Sequence, residues 1–284
     1  MGQLDGKVAV VTGSSRGLGL AMVKALARDG AGVMIASRSQ ASVDQAVAQV
    51  KAEGGQAAGM AVDVGALEQV TALAEATIRT FGRLDIWVNN AGTAGPYGAT
   101  LDFSPETFNQ VIQTNIVGTY YGSRVAMSQF IAQGSGKLIN LIGAGWNKPV
   151  PWQNAYASSK VWIRWFTRAL AEETRGSGVG VYAFNPGMVL TELLTDVAVF
   201  ENDAKRLERF PMVVRALARP PEIPAAKLAW LASGATDGKT GLEISLVQPL
   251  TSAAGFAREG LRALFKRPEP ASPVKIRVVK PNRS

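Results

Sequence analysis

Short apolar runs and longer stretches of helical periodicity take turns along most of the chain. Residues 7–13 (KVAVVTG) form an apolar run that ends in glycine. A stretch with apolar residues at helical spacing, 18–29, follows and is closed by Gly30. The pattern then repeats: 32–37 (GVMIAS) before a helix near 42–53, 57–64 (AAGMAVDV) before a helix over 67–81, and 84–90 (LDIWVNN). Residues 137–142 (KLINLI) and 179–185 (VGVYAFN) continue the series after long amphipathic segments, and 242–247 (LEISLV) is the last strand of the core series. Apolar runs of this length alternating with helices predict βαβ units and a mostly parallel sheet covered on both faces. The fold class is therefore α/β, a Rossmann-type doubly wound sheet, in one domain over 1–254 without a linker or internal repeat. Residues 190–222 show no strand pattern and contain Pro211, Pro220 and Pro221. They are expected to form a mobile insertion that covers a substrate site. After them, 255–284 is set apart as a basic tail, with a Pro-rich connection (267–273) and a strand-like VKIRVV (274–279).

Composition narrows the chemistry sharply. The 284 residues include neither Cys nor His, which excludes thiolate nucleophiles, imidazole acid–base work and Cys- or His-ligated metals; no metal site is expected. Catalysis has to come from Tyr, Lys, carboxylates, amides, hydroxyls or a bound cofactor. The net charge is +8, of which 255–284 supplies +6 from eight basic and two acidic residues. Without a nucleic-acid motif this reads as a solvated or docked tail, so no nucleic-acid partner is expected. No apolar run reaches the length of a bilayer span, and the first residues lack a signal-peptide layout, so the expected location is cytoplasmic.

The first strand leads into TGSSRGLG (12–19). Gly13, Gly17 and Gly19 let the backbone turn tightly and approach a pyrophosphate, which a helix N-terminus then holds through its free N–H groups. At the end of the second strand a dinucleotide site usually places an acid on the adenosine ribose. Here Ser37 and Arg38 stand there, and Arg16 lies in the Gly-rich turn. Two guanidinium groups and no acid suit a ribose 2′-phosphate, so the expected cofactor is NADP(H).

Taken together, TGSSRGLG (12–19), DV (63–64), NNAG (89–92), Asn115, YASSK (156–160) and NPGMVLT (185–191) resemble the short-chain dehydrogenase/reductase family, in its order and spacing, over about residues 5–250. The resemblance implies that Asp63 bonds the adenine amino group while Val64 flanks the ring, and that Asn89, Ala91 and Gly92 end the fourth strand beside the adenine ribose and phosphates. It implies that Val189 and Thr191 contact the nicotinamide carboxamide, and that Asn115 interrupts its helix to hold a water in a proton relay to Lys160. It extends the cofactor contacts to Ser15, Leu18, Pro186 and Gly187, and it implies a homodimer or homotetramer.

Tyr156 and Lys160 can be argued from spacing. At i, i+4 they share one helix face. An ammonium one turn away favours the phenolate and brings a phenol toward the range where general acid–base catalysis works. Tyr156 then exchanges a proton with the substrate oxygen, and Lys160 also binds the nicotinamide ribose.

One element of the pattern is missing. The family's Ser, thirteen residues before the Tyr, falls on Gly143, and 136–155 contains no Ser or Thr. The replacements weighed are Asn147, the Trp146 indole N–H and an ordered water. Trp146 and Trp152, with Pro149–Pro151 between them, suggest a mid-sized and rather apolar substrate. The expected function is NADP(H)-dependent transfer of hydride to or from such a carbonyl or alcohol. Reduction of C=N or activated C=C bonds and a non-catalytic NADP(H)-binding sensor or scaffold are the alternatives. Trp162 and Trp165 are expected in the core or at a subunit contact rather than at the substrate.

Overall fold

The computed structural model describes residues 2–247, 249–265, 271–272 and 274–281. Seven parallel strands form the central sheet in the order β3-β2-β1-β4-β5-β6-β8. They are β1 (Val8–Thr12), β2 (Gly32–Ser37), β3 (Ala57–Ala61), β4 (Ile86–Asn89), β5 (Gly136–Leu141), β6 (Val179–Asn185) and β8 (Glu243–Ser245). Every run expected as a strand is one, and β1, β4 and β6 are buried along their whole length because helices cover both faces. On one face α1 (Gly17–Arg28), α2 (Gln40–Ala52) and α9 (Glu222–Ala232) pack on Val11, Ile35, Val88 and Phe184. On the other, α3 (Leu67–Phe81), α5 (Gly118–Gln133) and α6 (Asn154–Glu173) cover Val10, Trp87, Leu138 and Val181.

The strand order reverses between β1 and β4, which leaves a crevice at the carboxyl ends of the strands, where open α/β sheets bind ligands. Beneath it lies a closed polar network. Trp87 Nε1 donates to Asn89 Oδ1 at 2.8 Å, Asn89 Nδ2 donates to Asn140 Oδ1 at 2.8 Å, and Asn140 Nδ2 donates to Thr167 Oγ1 at 3.0 Å. With every member satisfied, the network fixes β4, β5 and α6 relative to one another.

The 190–222 segment corrects the expectation that it holds no strand. After α7 (Glu192–Thr195) the chain forms β7 (Asp196–Phe200), a 3₁₀ turn (Glu201–Leu207) and α8 (Phe210–Leu217). β7 pairs in parallel with β9 (Lys275–Val279), the strand-like piece of the C-terminal segment. The boundary drawn at 254 falls inside α10 (Pro249–Leu264), which packs on α8. At their crossing a β-carbon on Gly255 would stand 2.0 Å from the Ala216 carbonyl oxygen, so only glycine permits the approach. Arg215 and Glu259, both largely buried, pair there at 3.1 Å. Arg277 pairs with Asp196 at 2.7 Å. The C-terminal segment is thus built onto residues 190–222 by a helix and a strand. Most of the 267–273 connection lies outside the described residues.

Candidate active site

The Gly-rich turn has the geometry that its glycines permit. Gly13 has φ +63° and Gly17 φ +55°, and a β-carbon on Gly19 would stand 2.3 Å from the Gly13 carbonyl oxygen. The side chain of Asn90 holds the turn from below, donating to the carbonyls of Thr12 at 2.8 Å and Gly13 at 3.0 Å. Thr12 Oγ1 accepts from the Ala91 N–H at 3.1 Å. Helix α1 starts immediately after the turn with no side-chain cap and no acid in its first turn, so its first N–H groups are left for an anion. Leu18 packs against the core behind it. These residues fit a dinucleotide's pyrophosphate.

Around the turn the other expected cofactor residues gather at the same end of the sheet. Ser15 Oγ donates to Ser37 Oγ at 3.0 Å, joining the turn to the end of β2. Arg38 is exposed beside them, with no carboxylate at ion-pair distance among the described residues. Arg16 pairs with Glu192 at the start of α7, so the Gly-rich turn and the 190–222 segment are joined. Asp63 accepts from the Gly65 N–H at 2.9 Å and stays exposed. Val64 is buried against Gly118. Pro186 is buried, Gly187 takes φ +74°, and Val189 bridges Arg219. Thr191 packs 3.3 Å from where a Gly17 β-carbon would stand. Asn89 departs from expectation: its side chain is turned into the buried network described above, and its neighbour Asn90 carries the contact with the Gly-rich turn. Alternation along a strand explains the exchange, because consecutive side chains face opposite sides.

The residues expected to do acid–base work come from two elements, a π turn and α6. A π turn (Gln113–Val117) interrupts the helix running from α4 (Pro105–Ile112) into α5, as expected for Asn115. Asn115 is fully buried. Its Oδ1 accepts from the Thr93 N–H at 2.9 Å, and its Nδ2 donates to the Thr93 carbonyl and to Ser159 Oγ, each at 3.0 Å. Ser159 was not singled out in the sequence; it lies between the YxxxK residues and ties α6 to Asn115. Lys160 is buried, its Nζ donates to the Leu141 carbonyl at 3.1 Å, and it lies 5.4 Å from the centre of the Tyr156 ring. Gly92 backs onto the same space: a β-carbon there would be 3.8 Å from Lys160 Nζ and 3.4 Å from Asn115 Oδ1.

Electrostatics correct one expectation. Burial pushes the Tyr156 phenol up to about 12 and the Lys160 ammonium down to about 8. Desolvation penalises whichever form is charged, and it outweighs the attraction between phenolate and ammonium. Near neutrality, Tyr156 is therefore a protonated acid and Lys160 a cation close to its titration point.

The substrate side is only partly as expected. A β-carbon on Gly143 would lie 2.8 Å from Tyr156 Oη, so the phenol hydroxyl occupies the space of the absent side chain. Trp146 is half-buried. Its ring packs against Ile142 and Ile163, 4.6 Å beneath the Arg164 guanidinium. Asn147 is exposed. Trp152 adopts φ +64°, the only positive value at a non-glycine residue among those described. Its ring stacks on Tyr97 at 6.4 Å and lies 4.2 Å beneath Arg206 of the 190–222 segment. Arg206 also pairs with Asp203 at 2.6 Å, and Asp203 accepts from the Ala99 N–H at 2.9 Å. Sequence spacing gave no hint of this clasp, because Tyr97, Trp152 and Arg206 are far apart in the chain. Trp152 lines a cavity of about 690 Å³ with Thr100, Lys148, Pro149 and Ala157. On the outer face of α6, Trp162 stacks on Phe166 at 4.7 Å, and Trp165 is 57% exposed.

Comparison with known proteins agrees with this geometry. The family model described as short chain dehydrogenase matches residues 7–202. The chain is 34% identical to 3beta-hydroxysteroid dehydrogenase 1 of Eggerthella lenta, over 89% of this chain and 97% of that one. It is 32% identical to glucose 1-dehydrogenase 2 of Bacillus subtilis, over 84% and 92%. The crystal structure of 3-ketoacyl-(acyl-carrier-protein) reductase from Brucella melitensis complexed with NADH superposes with a TM-score of 0.76 at 29% identity, covering 86% of this chain and 97% of that one. The ordered motifs, the parallel sheet and the Asn115–Tyr156–Lys160 cluster at its carboxyl edge have the same explanation: the chain belongs to the short-chain dehydrogenase/reductase family of nicotinamide-dependent oxidoreductases.

Proposed function

We propose that this protein reduces a mid-sized, rather apolar carbonyl compound with NADPH. The observation that carries the proposal is the pairing of half-buried Tyr156 with buried Lys160, held by Ser159 and Asn115 beside Gly92 and Gly143. Reduction requires a neutral acid at the substrate oxygen, and burial keeps the Tyr156 phenol in that form. The bound nicotinamide supplies the hydride. Tyr156 Oη donates its proton to the oxygen as negative charge develops there. The Lys160 ammonium stabilises the resulting phenolate and holds the nicotinamide ribose, and Asn115 fixes the wall behind both. Arg38, exposed and without a carboxylate partner among the described residues, would receive the 2′-phosphate, with Arg16 shared between that phosphate and Glu192.

Glycine at 143 favours a second substrate class as well. With one donor at the oxygen instead of two, imines and activated C=C bonds lose less than simple ketones do. The apolar face of α6, with Trp165 exposed, supports assembly as a homodimer or homotetramer.

Fluorescence titration tests the cofactor. NADPH should bind more tightly than NADH, and Arg38→Ala should remove most of the difference; equal affinities in the wild type would refute the NADPH assignment. NADPH oxidation against a panel of aromatic and alicyclic ketones and imines tests the reaction. Tyr156→Phe should abolish turnover while leaving NADPH binding intact, and undiminished turnover would remove Tyr156 from the chemistry.

A further inference from the structure

Helix α10 turns the wrong kind of surface to water. Gly255 and Glu259 face inward onto α8. The opposite arc of the helix exposes Ala253, Ala254, Phe256, Ala257, Gly260, Leu261 and Leu264, and Phe265 follows it. Phe256 is 42% exposed, Leu261 54%, Leu264 73% and Phe265 66%. The one charged residue among the described exposed positions of this helix is Arg258, and its guanidinium is turned back to donate to the Arg215 carbonyl at 2.7 Å. Single exposed apolar side chains are ordinary, but a whole helix face without a charge marks a contact surface. On the neighbouring strand β9, Val278 is 57% exposed and Ile276 37%.

Charge identifies the occupant. Lys266 and Arg267 follow the helix in sequence, Lys275 and Lys280 are exposed at the two ends of β9, and the segment from 255 onward carries six of the chain's eight net positive charges. A second copy of the same face would set two such segments against each other, and the like charges would oppose the contact. An anionic bilayer surface complements both properties, taking the apolar arc into the boundary between headgroups and acyl chains and pairing the basic residues with lipid phosphates. We propose that the outward face of α10, flanked by the basic residues of the C-terminal segment, docks this protein on an anionic lipid surface. Because α10 and β9 are joined to α8 and β7, docking puts the substrate lid against the membrane. The docking itself does not depend on which reaction the site performs.

Co-sedimentation of the full chain with vesicles tests this, using phosphatidylcholine alone and phosphatidylcholine mixed with phosphatidylglycerol. Binding is expected on the mixed vesicles only and should be lost in high salt. Leu264→Ser with Phe265→Ser should weaken it roughly tenfold or more, given the apolar area withdrawn from the interface. Lys275→Glu with Lys280→Glu should also weaken it. The native chain has no Cys, so Leu264→Cys accepts an environment-sensitive fluorophore whose emission should shift to the blue on mixed vesicles; this readout does not depend on the double variants folding. Absence of wild-type binding, equal binding to neutral vesicles, or an unshifted fluorophore would overturn the proposal. So would a drop in assembly mass of the Leu264→Ser, Phe265→Ser variant in sedimentation velocity, which would make the face a subunit contact.

Discussion

The Tyr156 hydroxyl lies 2.8 Å from the point where a β-carbon on Gly143 would stand. Gly143 does not have a left-handed φ, so its backbone makes no demand for glycine; a side chain there would require the Tyr156 ring to shift. Elsewhere in the family a side-chain hydroxyl is expected at this position, whereas here the acid itself fills the space.

A methyl group at 143 should therefore push the phenol away from the substrate oxygen. Gly143→Ala is expected to lower kcat by about tenfold to a hundredfold, the usual cost of misplacing a reacting group by a fraction of an ångström. The dissociation constant for NADPH should stay within experimental error of the wild type. Gly143→Ser, which would restore the family's hydroxyl, is expected to lose activity for the same steric reason; a faster Gly143→Ser enzyme would show that the ring moves aside freely.

Lys160 is expected to set the alkaline limb of the pH profile. Its folded-state value is lowered to about 8, so its charge is present below that pH and lost as pH rises through it. Reduction measured as kcat/KM should fall above about pH 8 with a single ionisation, since that ratio reports the free enzyme. Lys160→Arg, which stays charged, should lose activity overall but no longer show this limb. The stability linkage has the opposite sign. Between about pH 8 and the ordinary lysine range, the unfolded chain binds more protons at this residue than the folded one, so its contribution to stability rises with pH there.

The clasp of Tyr97, Trp152 and Arg206 should matter for substrate more than for cofactor. Removing the guanidinium in Arg206→Ala takes away a cation–π contact and the partner of Asp203. Because this site is half-exposed, the stability cost should stay near 1 kcal/mol. KM for the carbonyl substrate should rise severalfold while NADPH affinity is unchanged. Steady-state kinetics with NADPH saturating would separate the two, and an unaltered KM would place the clasp outside the substrate path.

The succession of strands along the chain, the fold class and the shared helix face of Tyr156 and Lys160 were legible in the sequence because they rest on local rules. An apolar run of five or six residues followed by a glycine turn has few places to go other than the interior of a parallel sheet, and an i, i+4 pair such as Tyr156 and Lys160 shares a helix face wherever the helix lies. Tertiary structure decided what depends on distant partners. Residues 196–200 become a strand because 275–279 and Tyr97 arrive beside them, and Asn89 is drawn inward because Asn140 and Trp87 need its amide. The phenol's proton affinity belongs to the same class. Spacing brings an ammonium near, but the surrounding protein strips both groups of water, and desolvation acts over the whole environment rather than along the chain.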